Sequence, residues 1–272
     1  VPELPEVQTV VHYLKPYLCG RIIRSVEALN QNTKVFVSLD RDMTPERVIG
    51  RSIKSVHRRG KFIVLNLYQG YISIHLRMTG QLMANVGRED KARHFTARLI
   101  FQNGGALYFK DYRKFGRIYF SNDLDWLEKK LGIEPLSTGF TSKWLQEAFS
   151  RSRRMVKPLL LDQKFIAGLG NIYVDEALWT AKIHPRSIAN SLEPYKVSSL
   201  CRSIRSILRQ AIKLNGTTII NFSFGGGQTG SYTRYLQVFG KQDQPCPRCK
   251  TTLRKIRVSQ RGTHICPRCQ PL

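Results

Sequence analysis

Apolar residues at Val7, Val10, Val11, Leu14 and Leu18 recur at steps of three and four, the spacing of one face of an α-helix. Pro16 and Gly20 mark where that helix is expected to stop. After it the period changes to two. Arg21–Glu27, Ile53–Arg58, Lys61–Tyr68, Tyr71–Met78, Thr96–Phe101, Leu107–Tyr112 and Arg117–Ser121 are short runs rich in Ile, Val, Phe and Tyr, separated by Gly, Asn and Asp, and they predict strands. A helix followed by such runs predicts a β-sandwich or barrel with the helix packed on it. Asn66, Ser73 and His75 alternate with apolar neighbours, as where one sheet face meets something polar.

Beyond the strands the pattern turns helical. Leu124–Leu131 predicts a short helix, and the stretch 132–140, with Pro135 and two glycines, predicts a linker. Helices follow at Trp144–Arg154, Met155–Gln163, Asn171–Ile183 and Val197–Leu214. In the last of these, Leu200, Ile204, Ile207, Leu208, Ala211 and Ile212 share one side while Arg202, Arg205, Arg209 and Lys213 take the others. A Gly-rich stretch, Phe224–Ser231, is too glycine-rich for core and is expected to form a mobile lid. The domains expected are therefore 1–131 (β-sandwich), 132–140 (linker), 141–240 (helical) and 241–272.

The last 32 residues carry the strongest local signal. Of six cysteines, four are paired as Cys246-Pro-Arg-Cys249 and Cys266-Pro-Arg-Cys269, sixteen residues apart, the spacing of a four-cysteine zinc site. Four thiolates leave no open coordination position, so one structural Zn²⁺ is expected. Thr252–Val258 and the turn Ser259–Gly262 predict a hairpin with Arg261 at its tip. Eight basic side chains against the single acid Asp243 in residues 241–272 make this a finger that grips phosphates. Cys19 and Cys201 stand alone and are given no role.

Charge extends this picture to the whole chain. Forty-four Lys and Arg against nineteen Asp and Glu give a formal +25 over 272 residues, more than solubility requires, and the expected partner is a polyanion. The basic residues lie within folded-looking segments, which favours nucleic acid over a membrane surface. No window reads as a membrane span or a secretory signal, so a cytoplasmic protein is expected.

Three sets of turns mix cations with an apolar residue near a glycine: Arg58-Arg59-Gly60-Lys61, His75-Leu76-Arg77-Met78-Thr79-Gly80 and Asp111-Tyr112-Arg113-Lys114-Phe115-Gly116. Nucleic-acid proteins use such sets to hold phosphates while an apolar wedge parts the bases, although a lone Met or Phe on a strand is more often core. Gly168-Leu169-Gly170-Asn171-Ile172-Tyr173-Val174-Asp175-Glu176 sits at a helix start, where exposed N–H groups can receive a phosphate or Asn171 can simply cap the helix. Arg151, Arg153, Arg154 and Lys157 add charge to that unit.

The chain opens Val1-Pro2-Glu3-Leu4-Pro5-Glu6-Val7. One reading is an ordinary helix start, with Pro5 in the first turn and two acids at the positive end of the dipole. The other is chemical. A proline bearing a free α-amine, of reference pKa about 8, can attack electrophilic carbon and become an iminium, with a carboxyl beside it moving protons. That requires Val1 to be removed, as a trimmed initiator would be; if retained, it would keep the protein inactive.

Read together and in order, these motifs, with Gly240-Lys241, resemble bacterial formamidopyrimidine-DNA glycosylase along essentially the whole chain. The resemblance implies an α+β multidomain fold: a β-sandwich with its N-terminal helix, then a helix-two-turn-helix domain and a four-cysteine zinc finger, with double-stranded DNA in the cleft between domains. It implies a nucleoid-associated bacterial protein, and with nothing in the sequence that suggests an oligomer a monomer is expected. Pro2 would be the nucleophile, Glu3 the acid, and Glu6 a second acid facing the extruded base. Met78, Arg113 and Phe115 would fill the gap left by a flipped nucleotide. Lys61, His75, Asn171 and Arg261 would hold phosphates, Lys61 and Arg261 within the catalytic set, while Lys157 and the segment 222–235 would lie near the extruded base. The expected activity is base-excision repair of oxidised and ring-opened purines with strand cleavage by β,δ-elimination. The alternatives are an endonuclease VIII-type enzyme for oxidised pyrimidines and a catalytically inert zinc protein that binds nucleic acid.

Overall fold

The computed structural model describes residues 2–84, 94–217 and 229–272. The chain divides into two units, one comprising residues 1–128 with Leu214–Ser231, the other Lys129–Lys213 with Tyr232–Leu272. The glycine-rich stretch expected as a lid lies, up to Gln228, outside the described residues.

In the first unit, helix α1 spans Leu4–Leu18. Its five stripe residues Val7, Val10, Val11, Leu14 and Leu18 all sit in the core, each contributing roughly 1.5–3 kcal/mol by leaving water. Pro16 does not end this helix; it lies inside the last turn, where the missing N–H removes one bond at an already fraying end. Cys19 caps the helix, and Gly20, at φ +83°, turns the chain away.

Among the described residues nine strands follow: β1 (Ile23–Ala28), β2 (Phe36–Ser38), β3 (Ile53–Arg59), β4 (Phe62–Leu67), β5 (Tyr71–His75), β6 (Gly80–Ala84), β7 (Phe95–Phe101), β8 (Ala106–Asp111) and β9 (Arg117–Ser121). They form two sheets, ordered β1-β7-β8-β6 and β2-β9-β5-β4-β3. All neighbours are antiparallel except β2 and β9. Side chains from both sheets and α1 share one core, the sandwich that the period-two runs predict. β2 and β6 are additional to those runs. The run expected to continue to Met78 stops at His75, because Arg77 adopts a left-handed φ of +54° that breaks the strand.

The second unit is built from α2's successor segments: α2 itself, Asp125–Glu128, closes the first unit. Then come α3 (Ser142–Ser150), α4 (Val156–Leu161), α5 (Asn171–Thr180) and α6 (Pro194–Lys213). Thr141 caps α3 by accepting the Trp144 N–H at 3.1 Å. The apolar side of α6 buries Leu200, Ile204, Ile207, Leu208 and Ala211, as its amphipathic pattern dictates. Gly132 and Ile133 run alongside 163–167, with Gly132 N donating to Gln163 O and Ala167 N to Ile133 O. The chain ends in a hairpin of β10 (Arg254–Val258) and β11 (Arg261–Ile265). No described helix is long and apolar enough to cross a membrane.

Candidate functional site

The N-terminal turn is tightly built. Pro2, Glu3 and Glu6 are all buried. Glu3 is the N-cap of α1, and its carboxylate and that of Glu6 cap each other's backbone N–H reciprocally, a capping box that fixes both acids. Glu6 Oε2 accepts the Glu3 N–H at 2.8 Å. Its Oε1 accepts from Thr217 N at 2.7 Å and Thr217 Oγ1 at 3.0 Å. Glu6 therefore ties the turn carrying Pro2 and Glu3 to residue 217, which itself bridges to Ser231. Gly216 makes this possible: at φ +76°, a Cβ there would stand 2.6 Å from Glu6 Oε1.

On the sheet edge, two turns combine. Met78 and Phe115 are about half exposed, and Arg113 lies with both, its Nη1 2.9 Å from Met78 Sδ and its guanidinium 4.7 Å over the Phe115 ring. The three residues expected to act together do lie together. What joins them escapes motif reading: Asp111, buried, accepts the Arg113 N–H at 3.2 Å and the Gly116 N–H at 2.7 Å. It also accepts the Thr79 hydroxyl in a short hydrogen bond. Thr79 thus hooks the Met78 turn to the Arg113 turn. A signal was present, since Asp opening a turn and Thr beside glycine are turn-bracing residues.

His75, ending β5, pairs with Phe62, packs edge-on against that ring at 4.6 Å, and accepts the Arg77 N–H at its Nδ1 at 3.0 Å. Burial first, then the charges of Arg77 and Lys61, depresses its pKa to about 3. The ring is neutral, and with Nδ1 accepting, its proton sits on Nε2. It is a donor that needs no charge. Lys61 lies in the two-residue turn between Arg59 and Phe62, which form a strand pair.

In the second unit the helix-start motif and the finger meet. The N-cap of α5 is Gly170, not Asn171; Asn171 begins the helix and donates from Nδ2 to Gly262 O at 2.9 Å. Gly262 adjoins the exposed Arg261, so two residues expected on phosphates are joined across 91 positions. The hairpin turn is Ser259–Gln260, at φ +43° and +65°, with Arg261 paired to Val258 as the first residue of β11. Arg261 is therefore beside the tip and not at it, because a two-residue turn with both φ positive fits the strand twist.

Lys157 lies inside the second unit. Expected near the extruded base, it is fully buried, with Nζ 2.6 Å from Asp175 Oδ1 and 2.8 Å from Thr263 Oγ1. A buried ammonium must find such partners. Next to Asp175, Glu176 accepts the N–H groups of Gln237, Val238 and Phe239 at 2.8, 2.9 and 2.8 Å. Burial still raises its pKa against those bonds.

Cys246, Cys249, Cys266 and Cys269 bring their sulfurs within 4.8 Å of one another. Three separations are 3.9, 3.4 and 3.5 Å. Sulfurs about 2.3 Å from a central zinc stand about 3.8 Å apart in a tetrahedron, so the cluster fits one Zn²⁺. The Cys269 N–H points at Cys266 Sγ, 3.4 Å away, a dipole suited to a thiolate. Trp179, Val238 and Leu253 pack around the cluster.

Comparison with known proteins places this geometry. The chain matches the model of the formamidopyrimidine-DNA glycosylase N-terminal domain over residues 1–118. It matches the H2TH domain of that enzyme over 131–223 and the zinc finger found in FPG and IleRS over 243–272. A formamidopyrimidine-DNA glycosylase of Pelotomaculum thermopropionicum is 43% identical over 99% of both chains. That of Enterococcus faecalis is 38% identical over 100% of this chain and 98% of its own. Among solved structures, a Lactococcus lactis FPG mutant in complex with Fapy-dG-containing DNA superposes with TM-score 0.90 at 37% identity over all of both chains. MutM in complex with DNA containing carbocyclic 8-oxo-G does so with TM-score 0.89 at 38%, again over both whole chains. The wild-type Lactococcus lactis Fpg in complex with DNA containing an oxidised pyrimidine gives 0.88 at 37%, with the same coverage. The chain belongs to the formamidopyrimidine-DNA glycosylase family.

Proposed function

We propose that this chain is a base-excision-repair DNA glycosylase with AP lyase activity that removes oxidised and ring-opened purines from double-stranded DNA. The observation that carries this reading is the assembled Met78, Arg113 and Phe115 cluster in the same unit as the capped Pro2–Glu3 turn. A base inside a duplex must leave the stack before chemistry, at a cost of a few kcal/mol, and a cation on an aromatic wedge is suited to fill the vacated space. Arg113 bonds the orphaned base, Phe115 wedges, and Met78 takes up remaining volume.

The nucleophile is the nitrogen of Pro2, as a free secondary amine; acylated by Val1 it has no lone pair for attack, and Val1 lies outside the described residues. The amine bonds to C1′ as the damaged base departs, and the sugar ring opens with Glu3 supplying a proton to its oxygen, leaving an iminium. The iminium acidifies the neighbouring carbon, so β- and then δ-elimination expel the two flanking phosphates. Glu6, engaged by Glu3 and Thr217, holds this turn at the edge of the base pocket. Lys61, neutral His75, Asn171 and Arg261 hold phosphates. The four cysteines hold one zinc ion, whose contribution is to fix the finger. The enzyme acts as a monomer on chromosomal DNA in the cytoplasm. Oxidised pyrimidines are a second substrate class, supported by the Lactococcus lactis complex with such a lesion.

The test is borohydride trapping on duplex DNA with 8-oxoguanine opposite cytosine, using protein whose mass confirms a Pro2 terminus. A covalent adduct is expected. Its absence, with DNA bound, would favour an inert binding protein.

A further inference from the structure

Lys157 and Asp175 are an ion pair with no exposed side-chain surface on either partner. Burying such a pair costs desolvation that mutual attraction seldom recovers in full, so what it supplies is geometry more than stability. The geometry here is specific. Asp175 Oδ1 holds Lys157, and its Oδ2 receives the His264 N–H at 2.9 Å, with the His264 ring nitrogen at 3.3 Å. Lys157 Nζ reaches onward to Thr263 Oγ1 at 2.8 Å and Gly262 O at 3.3 Å. Three consecutive residues that follow Arg261 are thus each bonded to this pair. Asp175 also stands one helical turn after Asn171, on the same side of α5, and Asn171 bonds the same Gly262 carbonyl.

We infer that Asp175 is a positioning residue: through Lys157, Gly262, Thr263 and His264 it fixes β11 on α5, so that Arg261 and Asn171 meet DNA as one preassembled phosphate grip. The inference rests on the phosphate-holding role proposed above for those two residues. Glu176, next along the helix, holds the backbone of residues 237–239, so the adjacent acids anchor the lead-in and the hairpin of the finger separately. Asp175 touches no substrate. It acts by removing the freedom of the strand that presents Arg261, and the ordering cost is met before DNA arrives.

The experiment is fluorescence anisotropy of the zinc-loaded full chain on a duplex bearing a stable abasic-site analogue, across a salt series. Asp175→Asn, which leaves Lys157 without its counter-charge, is expected to weaken binding about tenfold while zinc stays at one per chain. In an Arg261→Ala background the same substitution is expected to change affinity less than about twofold, because the grip it positions is already gone. Loss of Arg261 itself reduces the salt slope by about one. Equal losses from Asp175→Asn in both backgrounds would overturn the inference. So would a further drop in salt slope on Lys157→Met in the Arg261→Ala background, which would make Lys157 a phosphate contact. The apolar pair Lys157→Met with Asp175→Leu guards against simple misfolding; it is expected to fold, keep zinc and still bind weakly, and wild-type affinity would refute positioning. Hydrogen exchange at the amides of residues 262–264 gives a readout independent of DNA. Faster exchange in Asp175→Asn supports the clamp even if the wild type fails to prefer the abasic duplex, an outcome that counts against the functional reading alone.

Discussion

Arg113 holds its guanidinium 4.7 Å over the ring of Phe115. Both side chains would be mobile on an open surface; stacked, and with Asp111 bonding the backbone beneath, they are ordered before a base pair is opened. Removing the ring should therefore cost more than its contact area. Phe115→Ala is expected to slow excision from a fully paired duplex about 10- to 100-fold, or about 1.4–2.7 kcal/mol. The effect should shrink when the lesion faces an abasic site, where less stacking is broken. Single-turnover kinetics on the two duplexes checks this.

Asp111 braces two turns at once. Asp111→Ala takes the Gly116 N–H's acceptor away and leaves the Arg113 N–H only the Thr79 hydroxyl, and a loss of about 1–3 kcal/mol in unfolding free energy is expected. Excision should fall with it, since Met78 and Arg113 lose their common support. Denaturant unfolding and trapping yield on the same preparation separate the two effects.

The pH behaviour follows from His75. Folded, its pKa is depressed to about 3; unfolded, it returns to about 6.5. The unfolded chain therefore binds the extra proton between those values, and folding stability falls as pH drops through that window, by at most about 1.4 kcal/mol per unit. His75→Gln should flatten this part of the stability curve, measured by urea unfolding at pH 4.5 against about 7. Phosphate binding by a neutral imidazole should itself show no titration from this group above pH 5.

Zinc should be present at one per chain and removable by a strong chelator, exposing four reactive thiols. DNA affinity is expected to drop at least about tenfold on removal, because the cysteines fix the segments on either side of the Arg261 hairpin. Thiol titration and anisotropy on the same sample, before and after zinc is returned, check both parts.

Gly216→Ala should destabilise the N-terminal turn. The position has φ +76°, and the added methyl would press on the Glu6 carboxylate. A loss of about 1–3 kcal/mol and slower adduct formation are expected, visible in thermal unfolding and in trapping on pre-formed abasic sites, where no base needs recognition.

Much of this was legible in the residues. The α1 stripe, the alternating strands and the paired cysteines are periodic or fixed in spacing, and such signals survive without tertiary context. The burial of Lys157 was not legible, because in a chain of +25 a lysine near three arginines looks like surface. Its partners, 18 and 106 positions away, leave no local mark. Pro16 shows how local a mark can be: the helix ends at Leu18, between Pro16 and Gly20, because its last turn needs little from an N–H. Asp111 was visible only as part of a motif, and its bonds to Thr79 and Gly116 depend on strands β6 and β8 being neighbours.

The end of the finger hairpin has a practical meaning. Ser259 and Gln260 supply the left-handed turn, while Arg261 is held by its strand. The backbone of the pair is a shape requirement that Asn-Gly satisfies well, and the Gln260 side chain adds one bond, accepting from the Arg257 guanidinium. Sequence drift there should be tolerated so long as the turn closes, and a dye or spin label attached at Gln260 would report on DNA arrival from one residue away without displacing the side chain that receives it.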